Sequence, residues 1–372
     1  MKIAMMVRSL FTTPVPSGIG YSPTTVATTV AELLQKRGHE ITFYGPEGTR
    51  LDVTRVETCG LWPLVNNQKE FDEFLSNTDL FHQYLLATND NIMVKSIMER
   101  ANQGEFDCVI FNHFESAMSI AGMFPDVPVV HILHDVIDEK RRILIEQNAT
   151  DNQYFISISE NQRNDAPDLN YLATVYNGID TERFEYNPEP GEYLFFSGRI
   201  TPDKGVKEAI QVAKATKRQL LIAGPLVQAD YAYFEEHIKP HLDDKILYLG
   251  MLDKNQLVKY YRRAYALLVP IQWQEPFGLT MIEANACGTP VIAFRKGAVP
   301  EVIEDSKNGF IVDNTAEMIL AVEQIRSLNR KNCRAHVEKH FTNDHMTAGY
   351  EKALKRIIAQ HKSLIAKQSE AT

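Results

Sequence analysis

Short apolar runs alternate with helical patterns along most of this chain, and that alternation limits the fold more than any other feature. In the first half, apolar runs occupy residues 3–7, 40–45, 107–113, 127–135 and 154–159. Between the first two, residues 26–39 place apolar side chains at 26, 30, 33 and 34, which is one face of a helix. A repeated strand-helix-strand order predicts a parallel sheet covered by helices on both faces.

The same alternation stops and then starts again. Residues 186–192 contain two prolines and a glycine without apolar periodicity, and we predict a linker there. Apolar runs then return, at 193–198, 219–225, 245–250, 266–270 and 290–294. We therefore predict two α/β domains, each a Rossmann-like, doubly wound parallel sheet: residues 1–187 and 188–345. Residues 346–372 form a final helix without a following strand, and we expect it to dock on the first domain.

The predicted fold also predicts where a ligand binds. Open parallel sheets bind ligands beyond the carboxyl ends of their strands. With two such domains, we expect the sheets to face each other across a cleft that holds the functional site.

Composition excludes several classes of protein. A net charge of -9 and a pI near 5.7 leave no basic excess for neutralising nucleic-acid phosphates. We find neither a secretory signal nor a membrane span, and we expect a cytoplasmic protein. The four cysteines have no paired spacing, so we expect them to be reduced and packed.

Residues 274–294, QEPFGLTMIEANACGTPVIAF, place Glu275 and Glu283 in an otherwise apolar segment. We predict a helix that begins near Gly278 and ends where Gly288 takes a left-handed conformation. Its first amides, at 277–280, and its dipole would form an anion site. A buried Glu283 needs polar partners, and vicinal hydroxyls of a ribose fit that need. Alternatively, Glu275 only favours the helix N-terminus and Glu283 is solvated.

An anion bound between two carboxylates also requires cations. Residues 195–205, FFSGRITPDKG, supply Arg199 and Lys204 after an apolar strand, with a Pro202-Asp203 turn between them. Charge-assisted hydrogen bonds contribute about 1.5–3 kcal/mol each, more than the roughly 0.3–1 kcal/mol of a helix dipole. We therefore expect these two side chains to dominate diphosphate binding. Alternatively, both are solvated loop residues.

Four motifs in this order resemble the retaining glycosyltransferases of family 4, which have the two-domain GT-B fold. They are S-G-R-I-x-P-x-K-G at 197–205, E-P-F-G-L-x-x-x-E at 275–283 followed by A-x-G-T-P-V-I-A, V-Y-N-G-I-D-x-x-R-F at 175–184, and G-x-V-P-E-V-I at 297–303. The resemblance covers most of the second domain and, more weakly, the first.

The resemblance implies a nucleotide-diphosphosugar donor, most simply a UDP-sugar, that the second domain binds. It assigns the ribose hydroxyls to Glu283, the sugar hydroxyls to Glu275, and the diphosphate to Arg199 and Lys204. It also implies catalytic roles for His113, Arg199, Lys204 and Glu275, with His113 beside the reacting sugar; a strand-end histidine is otherwise a packing residue. The remaining donor-binding residues that it implies are Ser197, Gly198, Gly224, Pro225, Met251, Leu252, Pro276, Phe277, Gly278, Leu279 and Thr280.

The chain departs from the family at the start of its first helix. The family often has Gly-Gly there, whereas this chain has Tyr21-Ser22-Pro23-Thr24 and carries Gly18 and Gly20 slightly earlier. These two glycines are therefore candidates for a loop that contacts phosphate or acceptor. The loop is expected to suit a different acceptor.

We predict that the enzyme transfers a sugar with retention of configuration and without a metal, because no D-x-D motif occurs. The diphosphosugar is then a substrate, no cofactor is needed, and the acceptor is a hydroxyl of a saccharide, lipid-linked or small molecule. The alternatives are a sugar-nucleotide epimerase of the same fold and a non-catalytic sugar-nucleotide-binding protein. The basic helix at 346–367 also allows weak association with a membrane surface.

Overall fold

The computed structural model describes residues 1–16, 18–76 and 80–370, and it divides the chain into two compact units. The first unit contains Met1–Tyr176 and Asn343–Thr372, and the second contains Asn177–Thr342. The predicted division, between 187 and 188, falls later in the chain. Residues 177–187 belong to the second unit because Asn187 N donates to Cys287 O (3.1 Å) and Arg334 Nη1 donates to Phe184 O (2.6 Å).

The first unit is built around a parallel sheet with helices between its strands. Among the described residues its elements are β1 Lys2–Met6, α1 Ser22–Lys36, β2 Glu40–Tyr44, β3 Arg55–Glu57, α2 Gln68–Ser76, α3 Leu80–Asn102, β4 Cys108–Phe111, α4 Met118–Ala121, β5 Val129–Ile132, α5 Glu139–Asn148, β6 Gln153–Ser157 and β7 Tyr171–Thr174. The strand order is β3-β2-β1-β4-β5-β6-β7, and every pair is parallel.

The second unit repeats this plan. Its elements are β8 Tyr193–Ser197, α6 Val206–Thr216, β9 Leu220–Ala223, α7 Tyr231–Tyr233, β10 Ile246–Tyr248, α8 Lys254–Arg263, β11 Ala264–Val269, α9 Leu279–Ala286, β12 Val291–Phe294, α10 Val299–Val302, β13 Gly309–Val312, α11 Thr315–Gln324 and α12 Arg330–His340. Its strands lie in the order β10-β9-β8-β11-β12-β13 and all pair in parallel.

Both sheets reverse their winding direction at one point, and that point positions the candidate sites. In the first sheet the order reverses between β1 and β4, and in the second between β8 and β11. Loops that leave two adjacent strands in opposite directions open a crevice at their carboxyl ends. The functional groups of each unit are therefore expected after β1 and β4, and after β8 and β11.

The predicted α/β fold with two doubly wound parallel sheets is confirmed. Each predicted strand is present, with one or both of its ends shifted. Sequence patterns missed β3, β7 and β13, which lie at or next to sheet edges. Edge strands are short and only half covered, so they lack the continuous apolar runs that identify buried central strands.

The final helix, α13 Asn343–Glu370, packs on the first unit. Leu354 and Ile357 are fully buried, and Arg37 on the loop after α1 reaches Glu351 with Nη1 3.0 Å from Oε2. The apolar residues at 354, 357 and 358 are therefore covered by protein, whereas the side chains of Leu364 and Ile365 lie outside the described ones. In the described part of the chain, no helix has the length and apolar character that crossing a bilayer requires.

Candidate functional site

The loop after β11 leads into α9 and carries the first acidic residue. Gly278 has φ 90° and precedes the helix, and Gly288 has φ 85° just after it, as the sequence predicted. The first amides of an α-helix lack intrahelical acceptors, so the start of α9 presents donors to the crevice between β8 and β11. Gly278, Leu279 and Thr280 are only partly covered. An anion can therefore reach this helix N-terminus.

Glu275 is held beside this helix start by two partners. Lys204 Nζ lies 2.5 Å from Glu275 Oε2, and Trp273 Nε1 donates to the same oxygen at 3.0 Å. The Lys204 ammonium also lies 4.7 Å from the centre of the Trp273 ring. Lys204 ends a short turn between β8 and α6, and Gln272 N donates to Asp203 O (2.7 Å). The cation and the acid that the sequence predicted for one ligand are therefore in direct contact.

The loop before α10 supports Glu275 from its other side. Ala298 N donates to Glu275 O at 2.9 Å, and Gly297 N donates to Gln274 Oε1 at 2.8 Å. Gly297 has φ 55°, and a Cβ there would stand 2.3 Å from Glu275 N and O. Only glycine allows this approach of two backbones, so the start of the G-x-V-P-E-V-I segment positions the backbone of Glu275.

Glu283 is buried on α9, and both of its oxygens have partners on α8. Lys254 Nζ lies 2.5 Å from Oε1, and the Tyr261 hydroxyl lies 3.2 Å from Oε2. The Tyr261 oxygen is also 3.0 Å from Ser197 Oγ, which places Ser197 in the same network. Burial and the Glu283 charge raise the pKa of Tyr261 well above its usual value. Tyr261 therefore stays protonated and donates to the carboxylate.

The loops after β8, β9 and β10 are joined by backbone contacts. Gly198 N donates to Ala223 O (3.0 Å), and Gly224 N donates to Gly250 O (2.9 Å). A Cβ on Gly224 would be 1.7 Å from Gly198 O. Pro225, Met251 and Leu252 continue these loops beyond the carboxyl ends of β9 and β10. The donor-binding residues predicted on the loops after β9 and β10 are thus brought beside those predicted after β8.

Arg199 stands apart from the Lys204 and Glu275 pair. Its side chain is exposed, and within the described parts of the chain no salt bridge to it is found. Burial raises the pKa of Asp230, and the Arg199 charge acts in the opposite direction, so the two side chains lie near one another. Arg199 is therefore available to a ligand, whereas Lys204 already has a partner.

His113 follows β4 in the first unit, at the crevice beside β1. Its Nδ1 lies 3.3 Å from Glu115 Oε2, and about a fifth of its side chain is exposed. Burial, together with the Arg8 charge, lowers the pKa of His113 to about 3. His113 is therefore neutral at physiological pH and acts as a hydrogen-bonding group.

His134 stands close to His113 and is also neutral. Its Nε2 lies 3.1 Å from Asn112 Oδ1, and burial lowers its pKa to about 3, with a smaller effect from His113. The predicted glycines, Gly18 and Gly20, lie in the loop before α1, where Gly18 has φ 91°. They belong to the same end of the first sheet as His113.

Sequence analysis missed several polar residues at these sites. Lys254, Tyr261 and Trp273 contact the two acids of the second unit, and Arg8 and Asp90 lie close to His113. The i, i+7 spacing of Lys254 and Tyr261 on one predicted helix was a usable signal for a shared face. Asp90 had no such signal, because it lies within a helix far from β1 and β4 in sequence.

Comparison with known families accounts for nearly the whole chain. The family described as Glycosyl transferases group 1 matches residues 178–340, and the family described as Glycosyltransferase Family 4 matches residues 24–183. The chain belongs to the group 1, family 4 glycosyltransferases. The predicted resemblance is therefore confirmed, and the two matches meet near the boundary between the two units.

Curated relatives of this family are distant. The D-inositol 3-phosphate glycosyltransferase of Mycolicibacterium smegmatis is 26% identical over 68% of this chain and 63% of its own length. The glycogen synthase of Mycobacterium tuberculosis is 31% identical over 38% of this chain and 36% of its own length. The chain thus spans less than two thirds of these relatives.

Solved structures share the GT-B fold. Anabaena HepE in complex with UDP and glucose has a TM-score of 0.68 at 18% identity, over 96% of this chain and 100% of its own. AviGT4, a glycosyltransferase of avilamycin A biosynthesis, has a TM-score of 0.66 at 18% identity, over 96% of this chain and 98% of its own. At this identity the likeness concerns the fold.

Proposed function

We propose that this protein is a retaining glycosyltransferase that moves a sugar from a UDP-sugar to an acceptor hydroxyl. The observation that carries the proposal is the arrangement of Lys204, Glu275, Glu283 and the start of α9 at one crevice of the second unit. Family membership and the UDP named in the HepE complex support a nucleotide-sugar donor. The second unit would bind this donor.

Each polar group has a role that its contacts allow. An ammonium has three donors, and Glu275 uses one of those on Lys204, so the others remain for the diphosphate. Arg199 and the α9 amides would bind the same diphosphate. Each carboxylate oxygen of Glu283 has more than one lone pair, so ribose hydroxyls can donate to it while Lys254 and Tyr261 hold its orientation. Glu275 would bind hydroxyls of the donor sugar.

In the proposed reaction, the bond between the anomeric carbon and the diphosphate oxygen breaks, and the acceptor oxygen bonds to the same face of that carbon. The acceptor proton passes to the departing phosphate. Lys204, Arg199 and the α9 dipole stabilise the charge that develops on the diphosphate. The neutral His113 would orient a hydroxyl of the sugar or the acceptor through a hydrogen bond.

A panel of UDP-, GDP- and ADP-sugars tests the donor assignment. A donor at 100 times its Kd stabilises the folded protein by about 2.7 kcal/mol, which thermal unfolding detects. We expect the UDP-sugars to stabilise the protein most. Absence of stabilisation by every nucleotide sugar would refute the proposal.

Product analysis separates this function from its alternatives. We expect nucleoside diphosphate to appear together with a glycosylated acceptor whose anomeric configuration matches the donor. An epimerised donor without transfer would indicate the epimerase, and binding without any turnover would indicate a sugar-nucleotide sensor. Independence from metal stays a prediction, which assays with and without EDTA test directly: loss of activity in EDTA would contradict it.

A further inference from the structure

We propose that the acceptor is an uncharged, hydroxyl-rich molecule rather than a phosphorylated one. This inference rests on the proposed function and concerns the crevice after β1 and β4 in the first unit. The charged groups around that crevice carry it: the guanidinium groups that act on His113 are already neutralised by carboxylates.

The first cation, Arg8, follows β1 and is paired with a buried acid. Its Nε donates to Asp90 Oδ2 at 3.0 Å, and the Asp90 side chain is completely covered. The other Asp90 oxygen accepts from Ser9 N at 2.9 Å and Ser9 Oγ at 3.0 Å. Arg8 keeps other N–H donors, but the charge of Asp90 balances its own, so the pair offers no net positive charge to a phosphate.

The second cation, Arg141, begins α5 and contacts three acids. Its Nε lies 2.9 Å from Glu115 Oε1, its Nη1 3.3 Å from Asp138 Oδ2, and its Nη2 3.8 Å from Asp135 Oδ2. More than half of the Asp135 and Asp138 side chains is exposed. The carboxylates therefore outnumber this guanidinium and face solvent, where they repel an anionic ligand.

The histidines and the tyrosine of the crevice add no positive charge. His113 and His134 are neutral because burial lowers the pKa of each to about 3. Burial raises the pKa of Tyr21 to about 12, and the charges that act on it are those of Arg8, Asp135, Glu115 and Asp90. These neutral donors and acceptors suit hydroxyl groups, which can both donate and accept hydrogen bonds.

Other parts of the first unit do not change this balance. Residues 17 and 77–79 lie outside the described ranges, and their sequence, Ser and then Asn, Thr and Asp, contains no cation. Arg50 is exposed on the neighbouring loop, where its N donates to Thr13 O at 2.6 Å. Lys140 is exposed as well, in the first turn of α5, and a phosphorylated acceptor would have to bind through exposed cations such as these two.

Matched acceptor pairs test the inference. Saturation-transfer NMR measures binding of each compound to the UDP-saturated enzyme. The pairs are glucose and glucose 6-phosphate, N-acetylglucosamine and its 6-phosphate, and myo-inositol and its 1-phosphate. The rate of sugar transfer to each compound is then measured with the preferred nucleotide sugar as the donor. We expect the neutral member of at least one pair to bind and react at least about tenfold better than its phosphate.

Variants that remove the exposed acids beside Arg141 sharpen the test. In Asp135→Asn and Asp138→Asn the preference for the neutral member should fall by about two- to fivefold per charge removed, as expected for repulsion across solvent. Asp138 accepts from Arg141 N as the N-cap of α5, and asparagine also caps helices well. Asp151→Asn, before β6 at the opposite end of the sheet, is the matched control and should leave the preference unchanged.

Each contrary outcome overturns the inference. A phosphorylated member that binds as well as or better than its neutral partner refutes it, and loss of that binding in Arg50→Gln would assign the phosphate to Arg50. Binding of the nucleotide without binding of any neutral acceptor also refutes it, while leaving the donor site standing. Failure of every nucleotide to bind would instead refute the proposed function.

Discussion

The two units place polar groups at the same position of the same sheet topology, but they neutralise charge in different ways. The second unit pairs each acid with one lysine, Glu275 with Lys204 and Glu283 with Lys254. The first unit surrounds Arg8 and Arg141 with more carboxylates than they can balance and keeps His113 and His134 neutral. In the second unit each lysine balances one acid and Arg199 adds a further positive charge, whereas four carboxylates surround Arg8 and Arg141 in the first.

This difference matches the proposal that the second unit binds the donor and the first unit binds the acceptor. On the proposal, the diphosphate would bind where cations balance or exceed the acids, and the hydroxyl acceptor would bind where carboxylates outnumber the cations. The units also differ in how far apart in the sequence their polar residues lie. The second site comes from a few continuous motifs, whereas the first is assembled from residues as distant as Arg8, Asp90 and Arg141.

The largest expected effect comes from removing the ammonium of Lys204. Fixed electrostatic donors of this kind are worth about 100- to 1000-fold in kcat, so Lys204→Met should lower kcat by that factor. The measurement is steady-state kinetics with saturating donor. Lys207→Met, an exposed lysine on the following helix, is the control. Near-normal kcat in the Lys204 variant would place the diphosphate elsewhere and remove the contrast between the units.

A smaller loss is expected from Glu283→Gln. Hydrogen bonds to a charged acceptor contribute about 1.5–3 kcal/mol, so the Kd of the donor should rise by about ten- to a hundredfold. Calorimetry with UDP measures this directly. Acceptor binding in the first unit should not change, and neither should UDP binding by Glu323→Gln, an exposed acid on α11. A change in acceptor binding alone would reverse the assignments of the two units.

Lys254→Met tests whether the partner of Glu283 positions it. Without the ammonium, the carboxylate keeps only Tyr261, and the KM for donor should rise several-fold while kcat changes little. Lys254→Arg should restore part of the loss. Lys259→Met, which removes an exposed lysine of the same helix, should behave like the unaltered protein. An equal effect of both methionine variants would show that Lys254 has no specific role.

The smallest effect concerns stability in acid and is expected from the first unit. His131 is buried, its Nε2 lies 2.7 Å from Gln153 Oε1, and burial lowers its pKa to about 4. A histidine in the unfolded chain has a pKa of about 6.5, so between these values the unfolded state binds more protons. The free energy of unfolding therefore falls as the pH decreases from about 6.5 to 4.

The change in the free energy of unfolding with pH is the quantity to measure. Each such histidine contributes up to about 1.4 kcal/mol per pH unit, so denaturant unfolding at pH 7, 6 and 5 should show a shallower loss in His131→Gln than in the unaltered protein. Glutamine can keep a donor near the position of Nε2. His237→Gln, a partly exposed histidine of the second unit, should leave the slope unchanged. The same slope in both variants would contradict a buried neutral His131.

The sequence by itself determined the fold class, because continuous apolar runs and period-3.6 apolar patterns are local. It also determined the helix that begins after Gly278 and ends before Gly288, since turn glycines mark both ends within one segment. The candidate residues Arg199, Lys204, Glu275 and Glu283 were found because each lies in a short continuous motif that follows a strand.

Only the tertiary structure decided which of these side chains meet. Lys204 contacts Glu275 although 71 positions separate them, and Lys254 contacts Glu283 across 29. Asp90 reaches Ser9 from the middle of α3, and nothing in its local sequence indicates a buried acid beside the carboxyl end of β1. The physical reason is that periodicity fixes which face of an element is buried, whereas strand order fixes which distant loops open on the same crevice.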